Sequence, residues 1–294
     1  MNRLRALLGT DRAVLLDGGM GTLLQDSGLD DGVPGELWNL ENPGAVRAAH
    51  AAYAEAGSRM LTTNSFGGTR PRLDLHGLGD RVGEVNRSAA RIARSVADER
   101  GLLVAGDLGP TGELLAPLGT LTSQEAQALF AEQLTALVEG GIDLVLVETL
   151  SDLGEADAAL AAAREVAPGL PVVVTMSFDT NLRTMMGVRP GDAVAHLAAA
   201  GADAAGANCG RGPAEMEVIA AEMAQARTGD ILLIAQSNAG LPQVVGDHFE
   251  YDATAADMAS HATRLAELGI DLVGGCCGST PAHIAAMGAT LTPA

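Results

Sequence analysis

The sequence predicts an α/β protein, a single (β/α)8 TIM barrel spanning residues 1–294, and three observations carry that reading. Short apolar runs alternate with segments of 3.6-residue period along the whole chain. The connections are asymmetric, with tight, glycine-bearing helix-to-strand joins and mostly long strand-to-helix joins. The glycines after the first run do not build a dinucleotide-binding turn. In Gly18-Gly19-Met20-Gly21-Thr22 the spacing G-x-G-x-x-G fails, because Leu24 stands where the third glycine belongs.

The strand candidates, in order, are 13–17, 59–63, 102–107, 142–148, 171–177, 203–207, 231–236 and 271–275. Each is too short and too continuously apolar for a surface helix, and reads as a parallel strand buried on both faces. Between them lie amphipathic helices. Val82, Val85, Ala89, Ile92 and Val96 form one apolar stripe, and Met258, Ala262 and Leu265 another. Thr122 with Glu125 has the form of a capping box, and Thr280-Pro281 that of an N-cap followed by proline at the first helical position. Gly57, Gly140, Gly141, Gly169, Gly201, Gly229 and Gly269 stand where helices end, since glycine tolerates the left-handed conformation there. The long loops 18–43, 64–81, 108–121, 178–189 and 237–252 all follow strands, so the working face is expected at the strand C-termini.

Composition excludes several chemistries. The chain has 18 basic residues against 37 acidic ones, a net charge of −19, and every basic residue is arginine. Without lysine there is no Schiff-base aldolase, no pyridoxal-phosphate enzyme and no P-loop nucleotide site. The acidity argues against nucleic acid, and one Trp, two Tyr and four Phe make no base-stacking platform. No apolar run reaches the roughly 18 residues of a membrane span. The first nine residues hold too short an apolar stretch for a signal peptide, so a cytoplasmic location is expected. Three cysteines, two of them adjacent, make a poor disulfide framework.

Those cysteines are the strongest chemical pointer. Cys209 lies just past the sixth strand, and Cys276 and Cys277 just past the eighth. A barrel opens both strand ends onto one mouth, so the thiols are able to converge. Neighbouring residues of a regular strand face opposite ways, so Cys276 and Cys277 share a ligand only if the backbone turns, a freedom Gly274, Gly275 and Gly278 supply. Three thiolates with an open position suit a catalytic zinc. The plain alternative treats each cysteine as a small buried hydrophobe. Asp17, Asp107 and Glu148 end strands one, three and four, while Asn64 and Asn238 follow strands two and seven. Asp17, Asn64 and Asn238 also suit ordinary turns. Glu148 follows four apolar residues, where a buried carboxylate needs a partner such as a bound ammonium.

Residues 74–79 match D-x-H-x-x-G, a cobalt-ligating histidine pattern, but in a long loop and without the surrounding domain that gives the pattern meaning. His50, His196 and His261 read as structural helix residues, and no histidine pair has zinc-ligand spacing.

Taken together, Asp17-Gly18-Gly19-Met20-Gly21-Thr22, Asn64-Ser65-Phe66-Gly67, Gly109-Pro110-Thr111-Gly112-Glu113, Glu148-Thr149, Asn208-Cys209, Asn238-Ala239-Gly240-Leu241-Pro242 and Gly274-Gly275-Cys276-Cys277-Gly278 resemble the homocysteine S-methyltransferase family in order and spacing over nearly the whole chain. Within it the motifs look most like the N-terminal homocysteine-binding barrel of cobalamin-dependent methionine synthase, and less like the betaine- and S-methylmethionine-dependent members.

The resemblance implies zinc (Zn2+) held by Cys209, Cys276 and Cys277, with Asn238 filling the fourth position when substrate is absent. Ser237 stands where the family often has proline. It implies L-homocysteine bound through its amino group to Asp17 and Glu148, and through its carboxylate to backbone amides near Gly18 and in the Asn64-Ser65-Phe66 motif. The expected reaction is methylation of homocysteine to methionine, with the methyl group supplied in trans by a methyl-corrinoid on a separate chain, since no second barrel or cobalamin domain is visible in this sequence. S-methylmethionine or betaine is the alternative donor. Two rivals lie outside the class, a metal-dependent lyase or aldolase on the same barrel, disfavoured by the cysteine-only cluster, and a non-catalytic zinc- or thiol-binding protein.

Overall fold

The computed structural model describes residues 3–8, 13–30, 32–245 and 248–291. Ten strands form in chain order: β1 (Val14–Leu15), β2 (Met60–Thr62), β3 (Leu103–Leu108), β4 (Leu144–Leu150), β5 (Val172–Met176), β6 (Ala204–Cys209), β7 (Leu232–Ser237), β8 (Gln243–Val245), β9 (His248–Glu250) and β10 (Leu272–Gly275). Eight pair in parallel in the order β1-β10-β7-β6-β5-β4-β3-β2. β1 and β2 complete the ring. The Arg59 N–H donates to the Leu15 carbonyl at 2.9 Å, and the Asp17 carboxylate accepts the Thr62 N–H at 2.6 Å and the Thr62 hydroxyl at 2.8 Å. The structure is the (β/α)8 barrel that the alternation of runs predicts.

Side-chain alternation divides the strands between two cores. Leu16, Met60, Ala105, Leu144, Leu146, Val173, Ala204, Leu232, Ile234 and Leu272 pack inside the ring, with Leu4 of the N-terminal helix joining them. Their neighbours in sequence, among them Leu15, Leu61, Val104, Val145, Val174, Leu233 and Val273, face outward into the helical layer. Burying each Leu, Ile, Val or Met among them contributes about 1.5–3 kcal/mol. Of the stripes read from sequence, Val82, Val85, Ala89 and Val96 are buried, as are Met258, Ala262 and Leu265, while Ile92 is half-buried. Thr122 and Glu125 form the expected capping box. Gly57, Gly141, Gly201 and Gly269 have positive φ at helix ends, while Gly229, also of positive φ, lies in the turn beyond one.

Strand boundaries differ from the sequence reading. β3, β4, β6 and β7 run past 107, 148, 207 and 236, so Asp107 and Glu148 lie within strands and Cys209 is the last residue of one, whereas β1 stops at Leu15 and Asp17 follows it. β4 is longer because it carries a bulge between Val147 and Leu150, where Thr149 takes a φ of 62° and its N–H donates to the Asn208 side-chain oxygen at 2.9 Å. The 237–252 loop is not wholly irregular. β8 and β9 form an antiparallel ladder there, pairing Gln243 with Glu250.

His50, His196 and His261 are on helices as expected, the latter two paired with Asp157 and Glu217. His50 is fully buried, neither ring nitrogen has a partner, and burial pushes its pKa down to about 4. The unfolded chain takes up a proton near pH 6.5 that the folded chain refuses until about 4, so stability present above pH 6.5 is lost as the pH falls between those values. Between pH 7 and pH 5 the loss from this residue is about 2 kcal/mol. His50→Leu should therefore lose about 2 kcal/mol less than the parent over that interval in urea unfolding. Equal losses would show that His50 does not fold as a buried neutral ring.

Candidate active site

Following the inward file of each strand to its C-terminal end changes the chemistry. Leu103-Ala105 leads to Asp107, Leu144-Leu146 to Glu148, Ala204-Gly206 to Asn208, Leu232-Ile234 to Gln236, and Leu272-Gly274 to Cys276. The barrel is apolar below and polar at its top layer. Above that layer lies a cavity of about 490 Å³, lined by Asp17, Glu148 and all three cysteines among others.

The three thiols converge. Their Sγ atoms all lie within 4.8 Å of one another, with Cys209 and Cys276 at 3.0 Å. Cys209 reaches the point from a left-handed backbone, φ 61°, at the last residue of β6. Cys276 and Cys277 reach it because the chain turns. The Cys276 N–H donates to the Ser237 carbonyl at 2.8 Å, the Ser279 N–H to the Cys276 carbonyl at 3.0 Å, and the Ala239 N–H to the Cys277 carbonyl at 3.0 Å. Gly278 supplies the positive φ, 76°. Gly274 and Gly275 do different work. A Cβ at Gly274 would sit 2.8 Å from Leu16 Cβ, and one at Gly275 2.3 Å from Ser279 Cβ, so these glycines make room for neighbours rather than a turn.

Such a cluster does not carry three negative charges unaided. Cys277 is the thiol that ionises first, held down to about 3 by hydrogen bonds from Cys209 and Cys276, with the Tyr251 hydroxyl adding another. Cys276 is pushed well up by its bond to Cys209, its bond to Cys277 and burial. Cys209 feels an opposing pull from Cys276, but donation to Cys277 and burial carry it well above the ordinary thiol value. Full deprotonation calls for a cation at this point. Asn238 is close by, with its side-chain nitrogen donating to the Gly210 carbonyl at 2.8 Å and its Oδ1 buried without a partner.

The carboxylates respond to the same enclosure. Glu148 is raised to about 8 by burial, then by Cys277 and Asp17, and its carboxylate accepts from the Asn208 amide at 3.3 Å. Asp17 is raised to about 6 by burial, against the lowering effect of its bonds from Thr62. Asp17 thus lines the cavity and also joins β1 to β2.

Asn64, Ser65 and Phe66 all line the cavity. The Asn64 amide is engaged with the Gly35 carbonyl and Asn39, and the Ser65 hydroxyl with the Asp107 carbonyl, so both side chains hold loops. The Ser65 N–H already donates to the Thr63 carbonyl at 2.9 Å. The backbone N–H groups of Gly18, Asn64 and Phe66 have no backbone partner among the described residues. Gly18 is tightly enclosed, because a Cβ there would stand 2.5 Å from the Ser279 carbonyl oxygen and 2.8 Å from the Tyr53 ring.

Sequence reasoning quoted Asn208 in a motif but gave it no role. Its side chain links Glu148, the Thr149 backbone and hydroxyl, and Thr175, and approaches the Cys209 and Cys276 sulfurs at 3.7 and 3.9 Å. Tyr251, at the end of the hairpin, was missed altogether. Period-two alternation along β6 would have found Asn208, whereas no local pattern marks Tyr251. His76, from the D-x-H-x-x-G stretch, is exposed at the cavity rim with Leu75.

The chain is 34% identical to methionine synthase of Mycobacterium tuberculosis over 291 residues and 34% identical to that of Mycobacterium leprae over 289, covering 94% and 93% of this chain. It spans 24% of the length of each of those relatives. Among solved structures, the homocysteine methyltransferase MmuM from Escherichia coli in its metallated form is similar, with a TM-score of 0.81 at 26% identity over 98% of this chain and 99% of that one. Residues 14–291 match the family described as homocysteine S-methyltransferase, and with thiols, carboxylates and cavity at one barrel mouth the chain belongs to that family.

Proposed function

We propose that this barrel transfers a methyl group to the sulfur of L-homocysteine, giving methionine, at a zinc ion held by Cys209, Cys276 and Cys277. The observation that carries the reading is the convergence of three thiols in one cavity with the buried Asp17 and the half-buried Glu148. A cysteine-only donor set within 4.8 Å suits a thiophilic dication, and the raised Cys209 and Cys276 are groups that such a charge would deprotonate. When bound, zinc supplies Lewis acidity that converts a substrate thiol, ordinarily protonated near neutral pH, into a thiolate nucleophile. The unpartnered Oδ1 of Asn238 is the candidate for the fourth position in the absence of substrate.

The chain's own groups bind and aim. Glu148 and Asp17 receive the substrate ammonium, and the N–H groups of Gly18 and Phe66 receive its carboxylate. Asn208 fixes the Glu148 carboxylate and the Thr149 bulge beside the thiols. Methyl transfer is then an in-line displacement that needs position rather than a general base at the carbon.

The methyl donor reaches the site from outside this barrel, and a methyl-corrinoid on a protein carrier is the donor we favour. Leu75, Leu114, Leu118, Met185 and Leu241 are exposed by 77, 49, 66, 65 and 44% and all lie on loops that follow strands. Exposed apolar side chains on these connections, with Leu75 lining the cavity, suit a macromolecular carrier better than a small, highly polar donor. Among the described residues no helix is long and apolar enough to cross a membrane.

Three outcomes are expected. Purified protein should hold about one zinc per chain, and Cys→Ala at 209, 276 or 277 should abolish tight binding by metal analysis. Stoichiometric zinc in the triple variant would contradict the assignment. Glu148→Gln should weaken homocysteine binding about 10- to 150-fold in calorimetry with zinc retained. Asp17→Asn should do the same with the barrel seam kept, because its amide oxygen can accept the Thr62 N–H while its amide nitrogen donates to the Thr62 hydroxyl. Binding as tight as the parent's in both variants would remove the carboxylates from substrate recognition. In a donor panel with zinc-loaded protein, free methylcobalamin should yield methionine slowly and in a Cys209-dependent way. Efficient turnover with S-methylmethionine or betaine, and none with methylcobalamin, would replace the corrinoid with a small-molecule donor.

A further inference from the structure

We propose that Asp107 is a third carboxylate contact for the ammonium group of the thiol substrate and sets the requirement for an α-amino group. The inference rests on the homocysteine reading above and deepens it.

Asp107 continues the inward file of β3 after Leu103 and Ala105, at the level where the barrel interior turns polar. Its backbone is fixed on both sides. The N–H donates to the Thr63 hydroxyl at 2.9 Å, and the carbonyl accepts from the Ser65 hydroxyl at 2.8 Å and the Gln133 amide at 3.2 Å. The side chain is 3% exposed, lines the cavity, and its Oδ1 is buried with no hydrogen-bond partner. An orphaned carboxylate oxygen in such a place is costly unless a ligand meets it.

The other acids lining the cavity are already supported. Both oxygens of Asp17 accept from Thr62, Glu36 accepts the Gly67 N–H at 2.5 Å, and Glu148 accepts from Asn208. Asp107 instead faces like charge. Burial, then Glu148, Glu36 and Asp17, push its carboxyl well above the ordinary range. The basic side chains lining the cavity are Arg72, whose guanidinium lies 5.8 Å over the Phe66 ring, and His76, exposed at the rim. Neither donates to Asp107 in the hydrogen bonds of the described residues. Nor is Asp107 part of the metal-ligating cluster, which comprises the three cysteines. An ammonium carries three N–H donors and one positive charge, and three carboxylates lining one cavity are able to answer both. A thiol lacking the amino group would leave all three acids unrelieved.

The test compares L-homocysteine with 4-sulfanylbutanoic acid, which keeps the chain, carboxylate and thiol but lacks the amine, by calorimetry on zinc-loaded parent and Asp107→Asn. The parent should prefer homocysteine. The variant should lose about ten-fold or more in homocysteine affinity, with metal content unchanged and affinity for the desamino thiol unchanged or improved. Unchanged homocysteine affinity, or equal losses for both thiols, would overturn the proposal while leaving the methyltransferase reading intact. A parent that binds neither thiol would overturn that reading and this inference with it. Asp107→Ser, smaller and also uncharged, repeats the comparison if the asparagine variant does not fold.

Discussion

Concentrated negative charge withdrawn from water is the constraint on which the barrel mouth depends. Asp17, Asp107, Glu148 and three thiols share one cavity wall in a chain with no lysine. Burial raises all three carboxyls, with like charge adding to it at Asp107 and Glu148, and hydrogen bonds among the thiols split their acidities. Protons are one relief for such a cluster. A dication at the sulfurs and an ammonium at the acids would be a better one, and both would be selected by charge and position together. The enclosure would in that way add to affinity for its ligands.

The fold produces this enclosure with modest means. Alternation along parallel strands sends apolar side chains to both faces until the last inward position, where Asp107, Glu148, Asn208, Gln236 and Cys276 replace them. The β4 bulge and the left-handed Cys209 then re-aim the ends of two strands, and Asn208 ties them together. Asp17 couples stability to the site, since the carboxylate that faces the cavity also bridges β1 to β2.

The barrel was legible in the sequence because eight buried parallel strands leave eight apolar runs, and glycine marks the helix ends that precede several of them. The thiols were legible because cysteine is rare here and its positions follow strand ends. The two glycines before Cys276 were read as a source of flexibility, whereas they clear space for Leu16 and Ser279, a tertiary fact that no local pattern carries. Tyr251 was hidden for the same reason, for it meets Cys277 only in the folded chain, across 26 residues of sequence. Asn208 and Asp107 lay within reach of period-two counting, which separates inward from outward positions once the strand is known. Of the N–H groups proposed for a substrate carboxylate, that of Ser65 is already engaged, closing a tight turn onto Thr63 that the sequence does not mark.

The central claim is that three cysteines of this chain hold a metal whose open position receives the substrate sulfur. X-ray absorption at the zinc edge of the loaded protein, with and without L-homocysteine, tests it most directly. The account predicts three sulfur neighbours at about 2.3 Å in the free protein and a fourth when homocysteine is added. A sulfur count that does not change with homocysteine, or a zinc ion without sulfur neighbours, would contradict it.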